Sequence, residues 1–119
     1  MENKYKAGLN IWLHSKGETV FCQGRVMLLE GIKEHGSLRQ SAKSLSMSYR
    51  AAWGKLKKTQ DILGFELVVL TKSRPQHYEL TPRGEEILAA FKAWNKRVRD
   101  YADRESGALA GLFDPSSPH

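Results

Sequence analysis

Acidic residues are missing from the middle of this chain. Between Ser37 and Gln60 there is no aspartate or glutamate, while Arg39, Lys43, Arg50, Lys55, Lys57 and Lys58 supply six cations. Outside that block the charges nearly cancel, with five cations against four acids before Ser37 and eight against nine after Gln60. The whole net charge of +6 is therefore concentrated in one segment. That concentration is the electrostatic footprint of a polyanion binder. A solvated helix can also carry a basic face, so charge alone leaves both readings open.

Other absences narrow the class. Cysteine is limited to Cys22, which excludes an intramolecular disulfide and suits a reducing cytoplasm. No apolar run approaches the roughly 20 residues needed to span a bilayer, and the opening MENKYKAGLN has no signal-peptide apolar region. A soluble, cytoplasmic protein without a membrane partner is expected. His14, Cys22, His35 and His77 are scattered without metal-ligand spacing, and there is neither a nucleophile–base–orienter set nor a phosphate-cradling glycine loop. No enzyme, no cofactor and no metal are expected. The one pair left open as a metal effector site is His14 with Cys22, neighbours across a proposed hairpin. A length of 119 residues and a hydrophobic fraction of 40% fit one domain with a modest core.

In chain order, residues 1–8 are polar and expected to be flexible. Leu9 to His14 alternates like a strand, with Leu9, Ile11 and Leu13 on one face. Ser15-Lys16-Gly17-Glu18 is a turn signal, and Thr19 to Cys22 completes a hairpin. Gln23-Gly24 breaks it, Arg25 to Glu34 forms a helix with Val26, Leu28, Leu29 and Ile32 inward, and Gly36 ends that helix.

The basic block then reads as two helices and a tight turn. Ser37 with Gln40 three residues on is a capping-box pattern, and Leu38, Ala42 and Leu45 share a face. Ser46-Met47-Ser48 supplies the turn and a second N-cap. Tyr49, Ala52, Trp53, Leu56, Gln60 and Leu63 recur at helical spacing, placing Arg50, Ala51, Gly54, Lys57 and Lys58 on the opposite side. A helix entering a major groove needs small residues for close approach and long cations for base edges and phosphates. Gly54 costs a helix interior roughly 1 kcal/mol against alanine; close approach to DNA and close packing on another helix are the two reasons open for it.

Strand-prone runs at Glu66–Thr71 and His77–Leu80 flank a basic tip, 72–76, and make a wing of about 66–80. Thr81 and Pro82 take the N-cap and first helical positions. Ile87, Phe91, Trp94, Val98 and Tyr101 follow at coiled-coil spacing. Either that stripe covers its own domain or it joins two protomers; dimerisation is preferred because the seam runs past the wing. From Ser106 onward the chain is expected to be a flexible tail.

Gly36-Ser37-Leu38-Arg39-Gln40-Ser41-Ala42 and Met47-Ser48-Tyr49-Arg50-Ala51-Ala52-Trp53 closely resemble the N-terminal DNA-binding domain of ModE-type molybdate-responsive regulators. Leu80-Thr81-Pro82-Arg83-Gly84 resembles the start of that family's long helix, and also that of LysR-type prokaryotic regulators. The resemblance covers about residues 9–105. It implies a mainly α fold with small β content: a winged helix-turn-helix with an N-terminal β-hairpin and a long C-terminal dimerisation helix. It also implies a transcription regulator that binds double-stranded DNA as a homodimer, on a roughly palindromic operator, with a recognition helix at about 48–63 in the major groove. By position Ser48, Tyr49, Arg50 and Ala51 match the recognition-helix N-terminus, and Ser37 and Gln40 the preceding helix. Tyr49 lies on the apolar side, as core or with its hydroxyl on a phosphate, and Trp53 is expected in the core. Arg50 is assigned to a base edge, Lys55, Lys57, Lys58, Lys72 and Arg74 to phosphates, and Arg39 joins them as part of the basic block. Family members of full length carry molybdate-binding domains that this sequence lacks, so molybdate sensing is not carried over, and the wing lacks the glycine-rich insertion of some members. The alternative is a protein-interaction module that keeps the fold without specific DNA binding.

Overall fold

In the computed structural model, residues 4–115 are described. Two strands, β1 (Trp12–Ser15) and β2 (Glu18–Cys22), pair antiparallel. Three helices follow: α1 (Gln23–His35), α2 (Leu38–Ser44) and α3 (Tyr49–Leu63). A second antiparallel pair, β3 (Val68–Leu70) and β4 (Tyr78–Leu80), leads into the long α4 (Pro82–Leu112). This is the winged helix-turn-helix order expected from the sequence.

The first hairpin turns on two residues, Lys16 at φ 51° and Gly17 at φ 81°. Both are left-handed, the geometry whose twist matches paired strands. β1 starts at Trp12 rather than Leu9, and its register is irregular between Leu13 and His14. That irregularity breaks the proposed alternation: Ile11 packs on the core while Leu13 stands 54% exposed. It also moves His14 opposite Thr19, while Cys22 faces Trp12, so the two are not cross-strand partners. Gln23 and Gly24 do not break the chain but form the first turn of α1, where backbone N–H groups lack intrahelical acceptors anyway and a glycine costs little.

α1 is the central post. Val26, Leu28, Leu29 and Ile32 are at most 2% exposed and meet Leu38 and Ala42 of α2, Ala52 and Leu56 of α3, and Leu67, Leu80 and Leu88 beyond them. Gly31 lets α2 approach closely, since a Cβ there would collide with the Ser41 side chain. The Ser41 hydroxyl in turn donates to the Leu28 carbonyl at 2.8 Å, which satisfies a fully buried polar group.

The wing is tied to the helices through backbone groups. Gly36, at φ 67°, ends α1 and donates its amide to Ile32, while its carbonyl accepts from the Tyr78 amide at 2.8 Å. The Gln60 side-chain oxygen accepts from Leu67 N at 2.7 Å and Val68 N at 3.2 Å. Gln60 therefore belongs to the inner face of α3 as a polar anchor. Thr81 accepts from Gly84 N and donates to the Glu66 carbonyl, both at 2.9 Å. Gly84 packs directly on the Leu67 backbone, leaving no room for a Cβ. The Leu-Thr-Pro-x-Gly motif is thus the joint between wing and α4.

α4 runs 31 residues, about 46 Å at 1.5 Å per residue. It passes through Ser106, where the sequence reading begins a flexible tail, and ends at Leu112. Extending an existing helix costs far less than nucleating one, and Ala108, Leu109 and Ala110 favour it despite Gly107 and Gly111. Tyr5 contacts Phe113 at 5.8 Å between ring centroids, and Arg99 donates to the Leu9 carbonyl at 2.9 Å. The N-terminal segment from Tyr5 onward, read from sequence as flexible, thus lies along the far half of α4. No helix among the described residues is long and apolar enough to cross a membrane.

Candidate nucleic-acid interface

Two serine caps place the helix-turn-helix. Ser37 Oγ accepts from Gln40 N at 3.1 Å and Ser48 Oγ from Ala51 N at 3.0 Å, each satisfying an amide the helix leaves unpaired. Both hydroxyls keep a proton with which to donate to a phosphate oxygen. Between the helices Ser46 takes φ 57° and Met47 N returns to the Ala42 carbonyl at 3.0 Å, closing a tight turn.

On α3 the buried positions are Ala52, Leu56 and Thr59. Thr59 is inside because its hydroxyl accepts from Arg25 Nε at 2.9 Å. This centres the buried face away from Trp53, which is 44% exposed, contrary to the expectation that it lies in the core. Tyr49, at 36% exposure, sits at the rim with the Arg39 guanidinium 4.6 Å from its ring centroid. The ambiguity over Tyr49 resolves in favour of a surface position, stacked with a cation.

Opposite the buried face lie Arg50, Ala51, Gly54, Lys57 and Lys58, all exposed. A Cβ at Gly54 would meet nothing within 4 Å. Packing on a neighbouring helix of the same chain is therefore not the reason for this glycine. Arg50 and Lys55 make no ion pair among the described residues, whereas Lys57 pairs with Asp61 at 2.9 Å and Lys58 with Glu18 at 3.8 Å. The face is thus divided, with unpaired cations in its N-terminal half and neutralised ones in its C-terminal half. Exposed Gln40 and Arg39 of α2 stand at the near end. In the wing, Thr71 and His77 close the tip (Thr71 N to His77 O, 2.8 Å), and Lys72 and Arg74 border an open hollow of about 430 Å³ with Pro75 and Gln76.

The proposed dimer seam separates into two parts. Phe91 is 7% exposed, with Phe21 at 5.2 Å and Trp94 at 5.5 Å between ring centroids. Phe91 is therefore a core residue of its own domain, because β2 swings Phe21 over it. Ile87 and Trp94 are half-buried on that core and, with Leu13 and Ala90, rim an apolar hollow of about 260 Å³. Val98 is half-buried and Tyr101 is 57% exposed. Sequence reasoning missed Thr59 and Glu18: the first looks like an ordinary helix residue, and the second meets α3 only through the tertiary fold.

Three likenesses to known proteins accord with this architecture. The family model for bacterial regulatory helix-turn-helix proteins of the lysR family matches residues 25–85, from α1 to the first turn of α4. The molybdenum transport protein ModE of Azotobacter vinelandii is 31% identical over 93 residues, a match covering 76% of this chain and 34% of ModE. The chain thus spans about a third of that relative's length. The crystal structure of a CbnR_DBD–DNA complex contains a chain of the same fold, with a TM-score of 0.56 and 22% identity, covering 72% of this chain and 95% of that one. With half of its length matched, including both helices of the helix-turn-helix and the wing, the chain belongs to the lysR family of bacterial regulatory helix-turn-helix proteins.

Proposed function

We propose that this chain reads a roughly palindromic DNA operator as a homodimer, inserting the N-terminal half of α3 in the major groove. Arg50 is the base reader. Lys55, with Lys72 and Arg74 of the wing, contacts phosphates, the wing lying on the backbone or in the minor groove. Ser37, Gln40, Ser48 and Arg39-stacked Tyr49 hold the register through further phosphate contacts. The observation that carries this reading is the empty space in front of Gly54 on the outer face of the basic helix. Small residues flanked by unpaired cations are what close approach to a groove floor requires. The distal half of α4, with Val98 and Tyr101, joins the protomers. The proposal involves no cofactor, and molybdate has no part in it.

Selection from a random duplex library at low and at physiological salt tests the reading. Enrichment of a palindromic motif that survives the higher salt supports it. Binding that vanishes with salt and leaves no motif would instead favour a protein-interaction module.

Gly54→Ala separates the free protein from the complex. Alanine is the better helix former and adds no clash, so the free domain gains about 0.5–1 kcal/mol, visible as a higher urea midpoint. Operator affinity falls in the same variant, because the added methyl holds the helix off the groove floor. A stabilised variant with unchanged operator affinity would show that Gly54 does not face the DNA.

A further inference from the structure

Around Gly54 the DNA-facing side of α3 is not uniformly basic. Glu18, Gly54, Lys57, Lys58, Asp61 and Ile62 line a shallow hollow of about 370 Å³. Two carboxylates reach into it from different elements: Asp61 from α3 itself, at 2.9 Å from Lys57, and Glu18 from the first hairpin, at 3.8 Å from Lys58. All four side chains are at least half exposed. Pairs so exposed contribute little to stability, so they are poorly explained as fasteners of the hairpin. Their effect on a polyanion is direct. Each carboxylate cancels a cation that would otherwise release a counterion from a phosphate.

We infer that Glu18 and Asp61 are specificity determinants that suppress non-specific DNA binding by neutralising the C-terminal half of the recognition helix. On the operator, contacts from Arg50 fix the tilt of α3, and its C-terminal half leaves the groove. On any other sequence no base contact fixes the tilt, and every unpaired cation on the face is free to settle on a phosphate. Acids at the C-terminal half therefore penalise the second mode more than the first. The hairpin joins the DNA-binding apparatus through Glu18, a role the helix-turn-helix alone does not suggest. This inference rests on the operator-reading function proposed above.

The test is Glu18→Gln with Asp61→Asn, singly and together, on the selected operator and on a scrambled duplex across a salt series. Glu18 follows the Lys16-Gly17 turn without forming it, and asparagine near the end of α3 keeps the helix, so folding is retained. The double variant is expected to bind scrambled duplex on the order of tenfold tighter near physiological salt, with a salt slope steeper by about 1–2. Its affinity for the operator should rise by less, so that discrimination falls. A Glu30→Gln, Glu85→Gln variant has the same net charge and likewise frees two lysines, Lys92 and Lys33, from exposed pairs between α1 and α4, and should leave discrimination unchanged. Equal gains on both duplexes, an unchanged salt slope, or the same loss of discrimination in this control would each overturn the inference. A wild-type protein without operator preference at any salt would defeat the operator-reading function itself, and this inference with it. A wild-type preference left intact by the double variant would defeat the inference alone.

Discussion

Phe91→Ala is expected to remove about 3–5 kcal/mol of folding stability, the range for emptying a buried aromatic site. A domain of this size has on the order of 5–15 kcal/mol in total, so the variant should be partly unfolded near body temperature. The expectation follows from the edge contacts with Phe21 and Trp94 and from the 7% exposure of the ring within a single chain. It separates the two roles that spacing alone left open for this residue. A side chain that stabilises only by joining protomers has an effect that depends on protein concentration. A core ring has one that persists on dilution. Urea denaturation at two concentrations a hundredfold apart decides, and a loss seen only at the higher one would return Phe91 to the dimer seam. Tyr101→Ala is the control. Its ring is 57% exposed, so monomer stability should move by no more than about 0.5 kcal/mol, while sedimentation should show weaker self-association if the distal half of α4 joins the protomers.

That contrast shows where sequence was sufficient. Local signals, in which a residue acts on a backbone a few positions away, came through intact. Ser37, Ser48 and Thr81 cap the helices expected of them, Gly36 ends α1 at φ 67°, and the basic tip lies between the wing strands. Each of these rests on a bond three or four residues long or on a dihedral only glycine adopts cheaply. What the sequence left open depends on contacts between distant segments. A heptad-like stripe does not reveal that Phe21 closes over its second member. Helical periodicity placed Trp53 inward, because it does not record that Arg25 draws Thr59 into the core and turns the face. Spacing placed Gln60 on the inner stripe without giving a polar side chain a reason to be there; it is the acceptor for two wing amides. The pairing of Lys58 with Glu18, forty residues away, offsets one of the six cations of a block that looks uniformly basic in one dimension.

Arg50→Ala should lower operator affinity about 5- to 150-fold, the 1–3 kcal/mol associated with a bidentate contact to a base edge, and relax sequence preference at one position in each half-site. Stability should stay within about 0.5 kcal/mol of wild type, because Arg50 is exposed and has no ion pair among the described residues. Affinity lost without stability lost is what marks a contact residue. The nature of the contact is then resolved by two further variants. Arg50→Lys keeps the charge and loses the planar fork, so binding to scrambled duplex should hold while discrimination falls nearly as far as in the alanine variant. Lys55→Ala removes a point charge from the same half of the helix. Its loss should be equal on all sequences, with the salt slope shallower by about 1. Were Arg50→Lys to retain full operator preference, Arg50 would be a phosphate contact like its neighbour, and base reading would pass to the remaining exposed positions of the first turn, Tyr49 and Ala51. Tyr49 would then be the better candidate, because Arg39 already holds its ring at the surface and a held ring loses less entropy on docking than a free side chain.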